Sequence, residues 1–293
     1  MDRDTRNDPV GLGLVLLASL AVAVLPVSAK LSFADGAGLM PLLLGRGVIG
    51  LMLMALMVWL LDASFALPRR LLGLSVLSGL LALGFVATLY LAVTYIEMGL
   101  TVLILYLFPV VVALIAHLRG STVVTGRQWA AIVVLLIGLG LLILRGGALP
   151  ALPGLGLSLM AMLFTVALVF VAGHLTDEIG PATMNFYMVL WGLLALLLAA
   201  PFVSGWALPA GPTGWIAMGV NGSCYVVAWF AFFAGAQRIG VVRASVLGSA
   251  DPLIAALAGL WVFQEHLSPQ EWVGFGLALS ALVAFELWKP ASR

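Results

Sequence analysis

Charge is scarce in this chain. Only 9% of its 293 residues are Asp, Glu, Lys or Arg, where a soluble domain carries about 25%. Lys and Arg number 13 against 12 Asp and Glu, a formal net charge of +1, so there is no basic footprint for nucleic acid. Cysteine is almost absent. Cys224 stands alone, which excludes an intrachain disulfide and any Cys-based metal cluster. The three histidines, His117, His174 and His266, fall at helix ends far apart in sequence, so neither a metal nor another cofactor is expected. Catalytic signatures are missing too: no His-Glu-x-x-His, no Walker loop and no Gly-x-Ser-x-Gly. An enzyme is not expected, and without a nucleotide-binding loop any driving force must come from gradients or a partner.

What the chain has in excess is apolar. Hydrophobic residues make up 63%, and the mean hydropathy is +1.21. So much Leu, Val and Ala needs a second solvent, and that solvent is lipid. A soluble globular fold and a disordered chain are both excluded.

A helix needs roughly 20 apolar residues to cross about 30 Å of hydrocarbon. Ten such runs are predicted, at 10–29, 39–61, 71–94, 98–118, 128–145, 154–175, 183–204, 213–235, 241–262 and 269–288. The breaks between them are short clusters of charge, Pro or Gly, with no room for an extramembrane domain. Span one could also be a signal peptide, since Val27-Ser28-Ala29 resembles a cleavage site. The acidic leader before it is a poor match for one. The Lys and Arg of the loops set orientation. Ten (Arg3, Arg6, Arg69, Arg70, Arg119, Arg127, Arg238, Arg243, Lys289 and Arg293) fall on the side of the N-terminus. Two, Lys30 and Arg145, fall on the other, and Arg46 lies inside a span. Both termini are therefore expected in the cytoplasm.

The sequence also resembles itself at an offset of 143. Gly11-Leu12-Gly13-Leu14 falls on Gly154-Leu155-Gly156-Leu157, Ile96 on Ile239, Pro109 on Pro252, and Trp129 on Trp272. Residues 1–147 and 148–293 thus form two repeats of five spans each. Five is odd, so the second enters the membrane inverted. Inverted repeats are the architecture of many secondary transporters. The expected fold is all-α: ten transmembrane helices in a 5+5 inverted repeat.

Polar residues inside spans are functional candidates. Asp251, in Gly248-Ser249-Ala250-Asp251-Pro252 of span nine, reads either as a site for a substrate amine or proton, or as a residue satisfied by helix packing. Pro109, Pro252 and Pro26 each remove a backbone hydrogen bond mid-span; they read as hinges or as static kinks. Arg46 in span two reads as a contact for a substrate carboxylate, a gate residue, or a side chain snorkelling to the surface. Lys30 reads the same way. Aromatic and polar stripes follow helical spacing: Tyr90 and Thr94 on span three, Tyr106 on span four, Tyr187 and Trp191 on span seven, and Asn221 and Tyr225 on span eight. They are candidate cavity walls or packing faces. Small-residue ladders, Gly276-Ser280-Ala284 and Ala255-Gly259, allow close helix contact within a monomer or a weak homodimer.

The stretch from Gln237 to Glu286, with Ala244-Ser245, Asp251-Pro252-Leu253-Ile254-Ala255-Ala256, Glu265 and Gly274, resembles the EamA domain of the drug/metabolite transporter superfamily. In the first half, Lys30, Arg46 and Tyr95-Ile96 through Pro109 resemble the family's corresponding positions. The chain departs from the family pattern at Phe108, which precedes Pro109 where the second half has Asp251. The resemblance implies alternating access through a central cavity in a bacterial inner membrane. It looks most like the amino-acid exporters, and within them the aromatic amino-acid type. The implied partners are the bilayer and an amino acid with an aromatic or other large neutral side chain. Drugs, nucleobases or other small metabolites are the alternative cargo; a channel, a sensor or a membrane enzyme are readings from other classes.

Overall fold

The computed structural model describes residues 8–144, 151–203, 205–262 and 267–287. Arg3, Arg6, Arg145, Glu265, His266, Lys289 and Arg293 lie outside them. The described residues fold as twelve α-helices and short 3-10 turns: α1 (Pro9–Ala34), α2 (Leu39–Leu60), α3 (Leu72–Val93), α4 (Met98–Leu105), α5 (Phe108–Leu118), α6 (Gly126–Ile143), α7 (Leu152–Ile179), α8 (Pro181–Ala199), α9 (Pro212–Ile239), α10 (Val241–Gly248), α11 (Asp251–Val262) and α12 (Pro269–Leu287). Among the described residues, nine segments are long and apolar enough to cross a membrane. The tenth expected span, 241–262, is present as α10 and α11.

The outward surface is apolar. Met52, Trp59, Leu163 and Ile216 are all exposed, which in water would be a liability and in lipid is the matching solvent. Four interior hydroxyls are satisfied locally. Thr88, Thr165, Thr176 and Ser158 each donate to the carbonyl four residues earlier, so they add no unpaired polar group to the core.

Helix starts follow local chemistry. Asp8 caps α1, accepting from Val10 and Gly11 N–H at 3.0 and 3.1 Å, ahead of Pro9 at the first helical position. The Thr125 hydroxyl and the Gln128 side chain form a capping box at α6. At α12, Ser268 N–H donates to Glu271 at 2.7 Å and Glu271 N–H donates to the Ser268 hydroxyl, the same reciprocal arrangement. Gly180 and Gly240 each join two helices with a single residue at φ +80 and +87, a backbone region that side chains with a Cβ rarely adopt.

Packing is pairwise: α1–α9, α6–α12 and α2–α8 run antiparallel, while α2 and α9 run parallel, with Gly45 facing Met218 and Gly50 facing Val226. α1 lies along α9, α3 along α7, α6 along α12, and α2 against both α8 and α9. Glycines allow the closest approaches: a Cβ on Gly138 would meet Ala278 N at 2.5 Å, and one on Gly274 would meet Leu142 N at 2.5 Å. The contact face of α12 is thus Gly274, Ala278 and Ala281, all buried. The expected ladder of Gly276 and Ser280 lies on the exposed face instead, because the packed stripe is offset by two residues from it.

The two ends of the bundle are tied differently. At the end holding the start of α1, Arg238 donates to Asp8 at 2.7 Å and Arg70 to Glu178 at 2.6 Å. At the opposite end the carboxylate of Asp35 accepts from Gly211 and Gly214 N–H at 2.8 and 3.0 Å. There it caps the start of α9 from the turn after α1.

Candidate functional site

Four helices, α2, α3, α8 and α9, surround a cleft. Its walls are mostly apolar: Leu43, Val86, Met188 and Leu196 among them, with Gly47 and Gly192 leaving room between side chains. One cation reaches it. The Arg46 guanidinium lies 4.5 Å from the centre of the Tyr225 ring, within the range of a cation–π contact. Among the described residues no carboxylate pairs with Arg46: the ion pairs there join Arg70 to Glu178, Arg238 to Asp8, and Arg243 to Glu286. A guanidinium offers up to five donors to a carboxylate. As it stands the cleft has a volume of about 40 Å³, room for a few waters and not for an amino acid.

A second polar site forms where two helices break. The apolar run 98–118 is continuous in sequence, yet α4 stops at Leu105 and α5 begins at Phe108. Likewise α10 stops at Gly248 and α11 begins at Asp251. Pro109 and Pro252 were expected to kink unbroken helices. Instead each occupies the second position of a new one, where its missing N–H is not needed and its ring no longer clashes with the preceding turn. Pro26 alone of the three lies inside a helix. The carbonyl that Pro252 would leave without a partner, that of Gly248, accepts from the Ser19 hydroxyl of α1 at 3.3 Å.

Asp251 opens α11 and is 8% exposed; Tyr106, at the end of α4, is also 8% exposed. The Tyr106 hydroxyl meets the Asp251 carboxyl, joining the two breaks. Oδ1 of Asp251 and the hydroxyl of Ser245, in the second half of α10, have no hydrogen-bond partner among the described residues.

The remaining expected residues scatter. Tyr90 packs with Leu43 and Val86 at the margin of the cleft. Asn221 donates to the Leu25 carbonyl and the Ser28 hydroxyl at 3.0 and 2.9 Å, tying α9 to α1. Tyr187 donates to the Phe65 carbonyl at 2.7 Å and Trp191 to the Ser75 hydroxyl at 3.1 Å; both fasten α8 to its neighbours and stand away from the cleft. Thr94 ends α3 with its hydroxyl on the Leu91 carbonyl, and Lys30 is exposed near the end of α1. Ser19 and the Asp35 clamp carry no mark in the sequence. Both partners are remote in the chain, and neither leaves a local signal.

Comparison with known proteins agrees with this architecture. Residues 152–285 match the EamA-like transporter family. A crystal structure of a protein 16% identical in sequence superposes with a TM-score of 0.79 over 95% of this chain and 96% of the other, so the whole fold is shared. No curated protein matches the sequence. With its apolar helices, the chain is a multi-pass membrane protein.

Proposed function

We propose that the chain is a secondary transporter of the drug/metabolite superfamily that exports amino acids, preferring aromatic or other large neutral side chains. The observation that carries this reading is Arg46: a cation without a carboxylate partner among the described residues, held over Tyr225 on the wall of an apolar cleft. A zwitterion with an apolar side chain matches both features, its carboxylate on Arg46 and its side chain among Leu43, Val86 and Met188.

Alternating access fits the organisation of the bundle. We read residues 1–147 and 148–293 as an inverted pair. Adding 143 to the bounds of α4 and to the first residue of α5 gives those of α10 and α11. The same shift carries the Thr125/Gln128 capping box to Ser268/Glu271. It also exchanges the pair α1–α9 with α7–α3, and α2–α9 with α8–α3. The cleft then lies between one pair of helices from each half, where such transporters bind their solute. The clamps at Asp35 and at Arg70–Glu178 hold opposite ends of the bundle. Releasing one while the other stays closed opens the cleft to one side, and a gradient drives the cycle through differential affinity for the two states. The positive bias of the loops supports cytoplasmic termini, and the resemblance to the exporters supports a bacterial inner membrane.

The test is counterflow of labelled L-phenylalanine into proteoliposomes at equal pH and salt. Accumulation that empty liposomes lack and that other amino acids compete is the expected result. No accumulation by folded, inserted protein would overturn amino-acid export and favour drug or nucleobase cargo; large unitary currents would favour a channel.

A further inference from the structure

We infer that the carboxyl group of Asp251 carries a proton through the transport cycle, taking it from water on one side of the membrane and releasing it to water on the other as a solute moves the opposite way. The inference rests on the transport reading above and concerns a site separate from the Arg46 cleft.

The geometry comes first. Asp251 is buried at the start of α11, at the junction of two half-helices, and its Oδ1 atom has no hydrogen-bond partner among the described residues. A buried carboxylate needs a cation, donors or a proton. The neighbouring elements supply no cation among the described residues. On α10, Arg243 is paired with Glu286 of α12. On α12, Glu271 is bound at the helix start by Ser268. On α1, Asp8 pairs with Arg238, Asp35 caps α9, and Lys30 lies on the last turns. On α4, Glu97 stands at the opposite end from Tyr106. The titratable group that does meet Asp251 is Tyr106. A single phenol hydroxyl is a weak counterpart for a full negative charge, and it leaves one carboxyl oxygen free to hold a proton.

The junction is also built to change. Ser245 Oγ, near the end of α10, has no partner among the described residues, and the Gly248 carbonyl depends on Ser19 of α1. Closed, the junction shields a neutral carboxylic acid. Opened, it admits water, which receives the proton and solvates the carboxylate. The change reaches the cleft through α1, which packs along α9, the helix that carries Tyr225. No other group is oxidised, reduced or transferred; the step moves one proton.

Two measurements on the reconstituted full chain test this. The first needs no substrate: infrared difference spectra between about pH 5 and about pH 9, a range over which an exposed carboxyl is already ionised. The expected result is a carboxylic-acid carbonyl band that titrates, is absent in Asp251→Asn, and shifts in frequency in Tyr106→Phe. No such band in the wild type, or an unchanged band in Asp251→Asn, overturns the inference whatever the cargo. The second uses L-phenylalanine as probe. An imposed pH gradient should drive labelled phenylalanine uphill in the wild type. Asp251→Asn should keep counterflow at equal pH within about threefold yet lose gradient-driven accumulation by about tenfold or more, the signature of a lost coupling and not of a lost fold. Gradient-driven accumulation that survives in Asp251→Asn, or counterflow in the wild type that no pH gradient drives, overturns proton coupling and leaves the transport reading standing. Absent counterflow in the wild type would instead sink amino-acid export, with the infrared result still deciding Asp251.

Discussion

The two broken helices share a backbone and differ in chemistry. α4 and α10 are eight residues each, and each is followed by a helix with Pro in its second position. Around the first break stand Phe108 and Val102, packed against apolar neighbours. At the corresponding places around the second stand Asp251 and Ser245, each with an unpartnered oxygen among the described residues. The carbonyl before Pro252 has Ser19 to serve it; the residue 143 positions after Ser19 is Met162, which has no hydroxyl. The first break carries Tyr106 amid hydrocarbon, whereas the second holds an acid and the hydroxyls of Ser245 and Ser249, with Ser19 of α1 against it. Two breaks of like backbone thus differ in a few side chains.

The largest expected effect comes from making the first break like the second. Phe108→Asp places a carboxyl at the start of α5, among apolar neighbours. A charge near the centre of a membrane helix costs about 2.5–3.5 kcal/mol, read as lost thermal stability of the purified protein. A variant as stable as the wild type would mean that the breaks are interchangeable. A smaller effect isolates the backbone. Ser19→Ala should cost about 1 kcal/mol by stripping the Gly248 carbonyl. In a Pro252→Ala background the restored N–H can serve that carbonyl, so the same change should cost little. Their coupling, about 1 kcal/mol, is measured by a double-mutant cycle. Additive changes would contradict the role given to Ser19. Smaller again is Ser245→Val, which copies Val102 of the first break. Removing an unpartnered hydroxyl should leave stability within about 0.5 kcal/mol, whereas a large loss would reveal a bond that the geometry lacks.

The smallest effect compares the starts of the two halves. Asp8 caps α1, while its counterpart Ala151 gives α7 no side-chain cap. The Gly11 N–H bond, helped by Arg238, holds the Asp8 carboxyl below its ordinary value against a partial opposing effect of burial. A depressed folded value means the cap contributes fully above the ordinary carboxylate range and is lost as pH falls through the depressed value. Stability measured against pH should therefore fall on the acid side in the wild type, and less so in Asp8→Asn.

The spans and their order were legible because lipid imposes length and hydropathy on every helix that crosses it. Asp251 and Arg46 were legible because charge is rare in such helices. The breaks were not. Met98 to Leu118 is uniformly apolar, so no change of periodicity marks the stop at Leu105, and a mid-span Pro reads as a kink until its neighbours show whether the helix continues. The meeting of Tyr106 with Asp251 joins residues from different halves and has no local signature. Two signals were present and went unread: Thr125-x-x-Gln128 and Ser268-x-x-Glu271, which spell the same helix start 143 residues apart. The stripe of Tyr187 and Trp191 shows the converse. Its spacing was right, but its polar atoms fasten helices together and do not line the cleft.

The central claim is that Arg46 receives the carboxylate of an amino acid. The most direct measurement compares L-phenylalanine with phenethylamine, which lacks only that carboxylate, as competitors of labelled phenylalanine counterflow in the wild type and in Arg46→Gln. A charge-assisted bond worth about 1.5–3 kcal/mol predicts that phenethylamine competes about tenfold more weakly or worse in the wild type, and that the gap closes in Arg46→Gln because phenylalanine itself weakens. Equal competition by both compounds in the wild type, or a gap that persists without the guanidinium, would contradict the account.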